Sequence, residues 1–306
     1  MGSSKRKNSR VTKITILDGG MGQELIHRYG QPPTPLWSTH VMMQQPDLVG
    51  DIHDDYFTSG AQVATTNSYA IHRDRLQRAD AKHGSNLEAD FSSLHQKACE
   101  IACKSRDKNA SGQIAGSLGP LGFSYRPDLH IPPEQAAELF GEIAKLQEPS
   151  VDLHLIETAS SIEHAKGALM GTAISSKPTW LAVSVKDDDG TKLRSGEDLT
   201  DIKTLVEKYS PQAVMINCST PEAVSQSIPL IADIGIPFGA YANGFTFITS
   251  SFTKTETVDS LEARNDLGPN EYADFCQQWV DQGATILGGC CEVGPAHIAE
   301  LKRRFA

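Results

Sequence analysis

A chain of 306 residues, 39% hydrophobic and 22% charged, has the composition of an ordinary globular protein, with room for one large domain or two small ones. Its formal net charge of -10 argues against nucleic acid as the main partner. No apolar run reaches bilayer-spanning length and the N-terminus has no signal-peptide core, so no membrane partner is expected.

Residues 1–10 are polar and basic and read as a disordered tail, leaving 11–306 as the folded unit. Along that unit short β-branched runs alternate with longer amphipathic stretches. The strands are expected at 14–18, 61–66, 112–117, 151–157, 179–185, 213–218, 236–241 and 284–290. Helices are expected at 46–60, 86–106, 134–147, 161–175, 199–209, 221–233 and 270–282. Pro46, Pro133 and Pro221 stand near three of the helix starts, where a missing N–H costs nothing. Strand–helix alternation implies a parallel sheet with right-handed crossovers. Eight such units in this length predict an α/β fold of the (β/α)8 TIM-barrel type in one domain. An open doubly wound sheet would need fewer strands, and no GxGxxG follows the first one.

In such a barrel the chemistry sits at the C-terminal ends of the strands. The residues there are polar or reactive: Asp18, Thr66 with Asn67, Ser117, Glu157, Asn217 with Cys218, Tyr241 with Asn243, and Cys290 with Cys291. The cysteines say most. Cys290 and Cys291 follow a Gly-Gly pair, and Cys218 ends the sixth strand, close to the eighth in a barrel. Three thiolates converging there would make an all-sulfur zinc site with a fourth position open, the pattern of catalytic zinc. Buried thiols or a redox pair is the competing reading. Cys99, Cys103 and Cys276 show no partner pattern and read as ordinary thiols. Six cysteines are too few for a disulfide scaffold, which suggests a reducing compartment and a cytoplasmic protein. Glu157 ends a very apolar strand, where an idle carboxylate would be costly. Asp18, followed by glycines, could equally be a turn residue. His53, His154 and His164 form no HExxH pattern and read as core histidines. Asp187-Asp188-Asp189-Gly190 reads as a solvated turn.

Taken in order, these stretches resemble the homocysteine S-methyltransferase family along nearly the whole chain, from about Ile14 to about Leu301. The likeness is carried by Asp18-Gly19-Gly20-Met21-Gly22, Pro35-Leu36-Trp37-Ser38, Thr65-Thr66-Asn67-Ser68-Tyr69, Gly116-Ser117-Leu118-Gly119-Pro120, Ile156-Glu157-Thr158, Ile216-Asn217-Cys218, Tyr241-Ala242-Asn243-Gly244 and Gly288-Gly289-Cys290-Cys291. The Pro-Leu-Trp-Ser segment is most similar to members that use S-methylmethionine as methyl donor. The resemblance implies a (β/α)8 barrel holding Zn2+ through Cys218, Cys290 and Cys291, with the sulfur of homocysteine in the open position. It also implies that Asp18 and Glu157 hold the amino acid, and that Thr66, Asn67, Asn217 and Asn243 help to bind substrate. Tyr241-Ala242-Asn243 stands where members often carry Tyr-Pro-Asn. Gly244 to Glu256 has no familiar motif, so the donor pocket is the least specified part.

The expected reaction moves a methyl group from a cationic donor to homocysteine and yields methionine. A free thiol is mostly protonated at neutral pH, and zinc would remove that proton. The transfer then depends on alignment, and no protein general base is assigned. Aromatic faces suit a sulfonium or quaternary ammonium; Trp37, Tyr69, Phe123, Tyr125, Tyr241 and Phe245 are the candidates. A betaine or dimethylsulfonio donor is the main alternative. The homocysteine half of a cobalamin-dependent methionine synthase is another, although Asp51-Ile52-His53-Asp54-Asp55-Tyr56 lacks the DxHxxG of a corrinoid module. The non-enzyme alternative is a zinc or thiol redox-sensor barrel. Monomer and homo-oligomer are both open.

Overall fold

In the computed structural model the described residues are 13–31, 34, 36–129, 131–248 and 261–306. The tail expected at 1–10 lies outside them, as does most of the segment after Ile248. Eight parallel strands follow one another in sequence: β1 (Thr15–Ile16), β2 (Val63–Thr65), β3 (Gln113–Leu118), β4 (Leu153–Ala159), β5 (Thr179–Val183), β6 (Ala213–Asn217), β7 (Phe238–Tyr241) and β8 (Ile286–Leu287). Hydrogen bonding runs β1-β8-β7-β6-β5-β4-β3-β2. The ring closes between β1 and β2 through a Leu17–Val63 bridge, with Gln62 N–H donating to Ile16 O at 2.7 Å and Asp18 N–H to Val63 O at 2.9 Å. This is a TIM-type barrel, as the alternation of elements predicts.

The helices are α1 (Met21–Tyr29), α2 (Trp37–Gln44), α3 (Pro46–Ser59), α4 (Arg73–His83), α5 (Phe91–Asn109), α6 (Pro133–Gln147), α7 (Ile162–Thr172), α8 (Ile202–Tyr209), α9 (Pro221–Ala232), α10 (Pro269–Asp281) and α11 (Pro295–Phe305). Proline opens α3, α6, α9, α10 and α11, supplying a preset φ where no N–H partner exists. Hydroxyl caps also start α7, where Ser161 accepts from His164 N–H, and α9, where Thr220 accepts from Ala223 N–H. Four helices, α1, α2, α4 and α11, lie outside the helical stretches given above. Among the described side chains of α4 only Leu76 and Ala79 reach the core, too little apolar stripe to register as a period.

Strand parity sorts the side chains into two layers. Leu17, Val63, Ala115, Leu155, Met215 and Tyr241 fill the inside of the barrel. Ile16, Ile156, Leu181, Val214, Ile216 and Leu287 face the helices and join the larger core. Almost every strand position is buried, as expected of a parallel sheet covered on both faces. The same parity points Ser117, Glu157 and Tyr241 inward as each strand reaches its C-terminal end. No helix among the described residues is long and apolar enough to cross a membrane.

Candidate metal centre and active site

Cys218 directly follows β6, and Cys290 and Cys291 lie in the turn between β8 and α11. Their sulfurs all lie within 4.8 Å of one another. The Cys218 and Cys290 sulfurs are in direct contact, with Cα atoms 5.8 Å apart. With the Cys218–Cys290 contact reduced, three sulfurs gathered this closely could serve one ion together. The donor set fits a soft metal, provided all three are thiolates; the same contact also suits a redox pair. Burial, helped by the nearby Glu292 and Glu157 charges, pushes the Cys291 thiol up to about 12, which a bound cation would reverse. Cys99 and Cys276 are buried and Cys103 half-buried, all away from the triad.

The triad borders a cavity at the C-terminal mouth of the barrel, lined also by Asp18, Thr66, Asn67 and Glu157. Both carboxylates are held by neutral donors. Asp18 accepts from Thr65 N–H at 2.7 Å and from Thr65 Oγ1 at 3.0 Å. Glu157 accepts from Ser117 Oγ and, at 3.1 Å, from the Tyr241 hydroxyl. Burial raises both acids. Asp18 is lifted to about 8, with the nearby Glu157 charge adding to burial and the Thr65 N–H opposing it. Glu157 is raised by burial against its two hydroxyl donors. Two buried acids that resist ionisation are a ready seat for a cationic group. All six aromatic candidates, Trp37, Tyr69, Phe123, Tyr125, Tyr241 and Phe245, line this cavity. Trp37 and Tyr69 meet edge to face with centroids 6.2 Å apart.

Glu157 reaches the mouth through an irregularity. The β4–β5 register shifts between Ile156 and Ala159, and Thr158 takes φ 59°, a region that β-branched residues avoid. Asn217 holds it there. Its Oδ1 accepts from Thr158 N–H and its Nδ2 donates to Thr158 Oγ1, both at 3.0 Å. Asn217 therefore stands behind the cavity wall as a brace for the bulge. Asn243 is likewise framework, its Oδ1 accepting from Phe245 N–H at 3.1 Å. Neither lines the cavity. Thr66 and Asn67 do, but their polar atoms also tie the wall together. Thr66 Oγ1 accepts from Ser117 N–H at 3.0 Å, and Asn67 Nδ2 donates to Ser38 O at 3.2 Å. His53, His154 and His164 are buried and take no part in the metal cluster.

The Asp187–Gly190 turn differs from expectation. The Asp187 side chain is fully buried and pairs with Arg194 at 3.0 Å. Opposite charges on either side of Gly190 were a sequence signal for this pair, but an acidic run next to glycine is ordinarily solvated. Thr65, in the Thr65-Thr66-Asn67 stretch, holds Asp18 through both its N–H and its hydroxyl, a role its sequence context does not show.

A closed parallel barrel with thiols and buried acids gathered at the C-terminal ends of its strands is built as an enzyme. The sequence model of the family described as Homocysteine S-methyltransferase matches residues 15–305, and the chain belongs to that family. It is 30% identical over 310 residues to the Homocysteine S-methyltransferase of Escherichia coli strain K12, covering 95% of each protein. Its structure is similar to that of the Homocysteine Methyltransferase MmuM from Escherichia coli in the metallated form, with TM-score 0.78 and 28% identity over 95% of this chain and 96% of that one. The oxidized form of the same protein matches at TM-score 0.77 and 27% identity over the same shares.

Proposed function

We propose that this enzyme transfers a methyl group from a cationic donor, S-methylmethionine by preference, to the thiol of homocysteine, giving methionine. The observation that carries the reading is the meeting of three cysteine sulfurs with two buried, neutral-held carboxylates around one cavity. Cys218, Cys290 and Cys291 would hold zinc. Zinc bound there supplies a Lewis acid that lowers the pKa of a thiol entering its open position.

The remaining work falls to the chain's own residues. Asp18 and Glu157 receive the amino acid's ammonium group, which would draw both toward their charged forms. Thr66 and Asn67 shape the wall beside them. Trp37, Tyr69 and Tyr125 offer aromatic faces to the methyl-bearing cation, whose charged centre has no hydrogen to donate. Because the displacement at carbon needs sulfur, methyl and leaving group in line, positioning by this cavity is the main catalytic contribution.

The test is methionine formation from homocysteine with S-methylmethionine, a betaine and a dimethylsulfonio compound in turn, with metal content determined on the same sample. Turnover with S-methylmethionine at near one zinc per chain supports the proposal, and turnover only with another donor replaces the donor. Full zinc with no turnover on any donor would favour a corrinoid partner or a thiol sensor and refute the proposal.

A further inference from the structure

Behind Cys218 lies a buried ion pair that the methyl-transfer reading does not use. Arg194 is 9% exposed and Asp187 0%. The guanidinium reaches Asp187 with two nitrogens, at 3.0 and 3.2 Å. Its Nη2 also donates to the backbone carbonyl of Cys218 at 3.0 Å, and its Nε donates to Ser184 Oγ at 2.8 Å. Ser184 Oγ in turn donates to the same Cys218 carbonyl at 3.2 Å. Cys218 itself holds φ 48°, a conformation that a non-glycine residue keeps only when its surroundings fix it.

Asp187 secures the other side. Its carboxylate accepts from Thr220 N–H and from Ile248 N–H, both at 3.1 Å. The pair therefore joins the loops that follow β5, β6 and β7. The Arg194 guanidinium also stacks on the Tyr125 ring, 4.6 Å from its centroid, and Tyr125 lines the cavity. A lone surface ion pair does little for stability. A buried fork held by several hydrogen bonds is specific in direction, and lysine cannot copy its geometry.

We propose that Arg194, oriented by Asp187, is a positioning residue for the metal centre: it fixes the Cys218 carbonyl, and so the direction of the Cys218 sulfur toward Cys290 and Cys291. The pair acts through Cys218 and touches neither metal nor substrate. Groups that orient metal ligands from behind typically change metal affinity 10–100-fold when removed. The inference rests on the metal reading above and adds to it.

The experiment compares wild type, Arg194→Lys and Asp187→Asn. Each is titrated with zinc against a chromophoric chelator, and each is melted with and without zinc. Arg194→Lys keeps the charge and loses the fork; Asp187→Asn keeps a neutral acceptor and loses the ion pair. The expected result is zinc affinity lowered about 10-fold or more in both, with the metal-free Tm lowered by the broken buried pair and the zinc-induced rise in Tm reduced as well. Wild-type zinc affinity in both variants would overturn the proposal while leaving the metal reading intact. A wild type that binds no zinc would sink the metal reading and this one with it. Failure of both variants to fold would assign the pair to the barrel itself and overturn a role at the metal.

Discussion

Asp18→Asn separates what the acid does for the fold from what it does for the substrate. In the free enzyme burial lifts this carboxyl from 3.8 to about 8. At 1.36 kcal/mol per pH unit that corresponds to an upper bound of roughly 6 kcal/mol against the charged form. An acid whose folded pKa lies above its unfolded one keeps its proton in the fold after the unfolded chain has lost it. Stability therefore falls as pH rises from about 4 to about 8, and the full cost is present above that. The cavity opens to solvent and buried charges relax as if in a dielectric of about 20, so ~1–3 kcal/mol of the bound is expected to be visible. The asparagine retains an oxygen for the Thr65 N–H and carries no charge. Urea unfolding at pH 5.5 and 8.5, without substrate, should show the variant gaining on wild type as pH rises. Homocysteine binding should move the other way. In wild type an arriving ammonium ionises Asp18, so affinity should drop as pH falls below about 8, in addition to any slope from the thiol. The variant should lose Asp18's part of that slope and bind more weakly throughout. A stability gap that stays constant between the two pH values, or a variant less stable at pH 8.5, would refute the placement of a charge-averse acid at the substrate's amino group.

Cys290→Ala should lose metal and activity yet keep the barrel's far-UV circular dichroism, because the core clusters do not depend on that sulfur; complete unfolding would make the metal structural. Glu157→Gln should raise the KM for homocysteine by ~10-fold or more while zinc content by atomic absorption stays near wild type, since a hydrogen bond to a charged group contributes about 1.5–3 kcal/mol. Asn217→Ala leaves the buried Thr158 N–H without its acceptor and should cost about 1–3 kcal/mol in urea unfolding; a neutral result would remove Asn217 from the role of brace.

The eight strands were legible because parallel barrel strands are short β-branched runs buried on both faces, a pattern that survives without any tertiary knowledge. The strand ends then named the site, and parity along β3, β4 and β7 accounts for Ser117, Glu157 and Tyr241 meeting at the mouth. Elements that depend on tertiary contact were not legible. The helix α1 starts in a glycine run that reads locally as a turn, and α4 is polar enough to hide its two core positions. Asn217 sits at a strand end like the true cavity residues, and only the bulge at Thr158 decides that its amide turns to the wall. Asp187 reads as part of a solvated turn because burial of its pair with Arg194 depends on three loops arriving together.

The two glycine-rich motifs, far apart in sequence, are one device in space. The strands β1 and β8 are neighbours, and Gly289 N–H donates to Asp18 O at 2.9 Å while Gly20 N–H donates to Val293 O at 3.0 Å. A Cβ on Gly20 would stand 2.5 Å from the Cys290 carbonyl oxygen, and one on Gly19 would stand 2.1 Å from that of Val293. Here glycine is needed for close backbone approach rather than for an unusual φ. The approach brings the acid of the first strand and the two sulfurs after the eighth against each other. In the proposed reading, the seat for the amino group and the seat for the sulfur are then set by the same backbone contact. Under that proposal the distance between the ammonium and thiol of a bound amino acid would be built into the barrel's closure, leaving the donor side to be shaped by the loops.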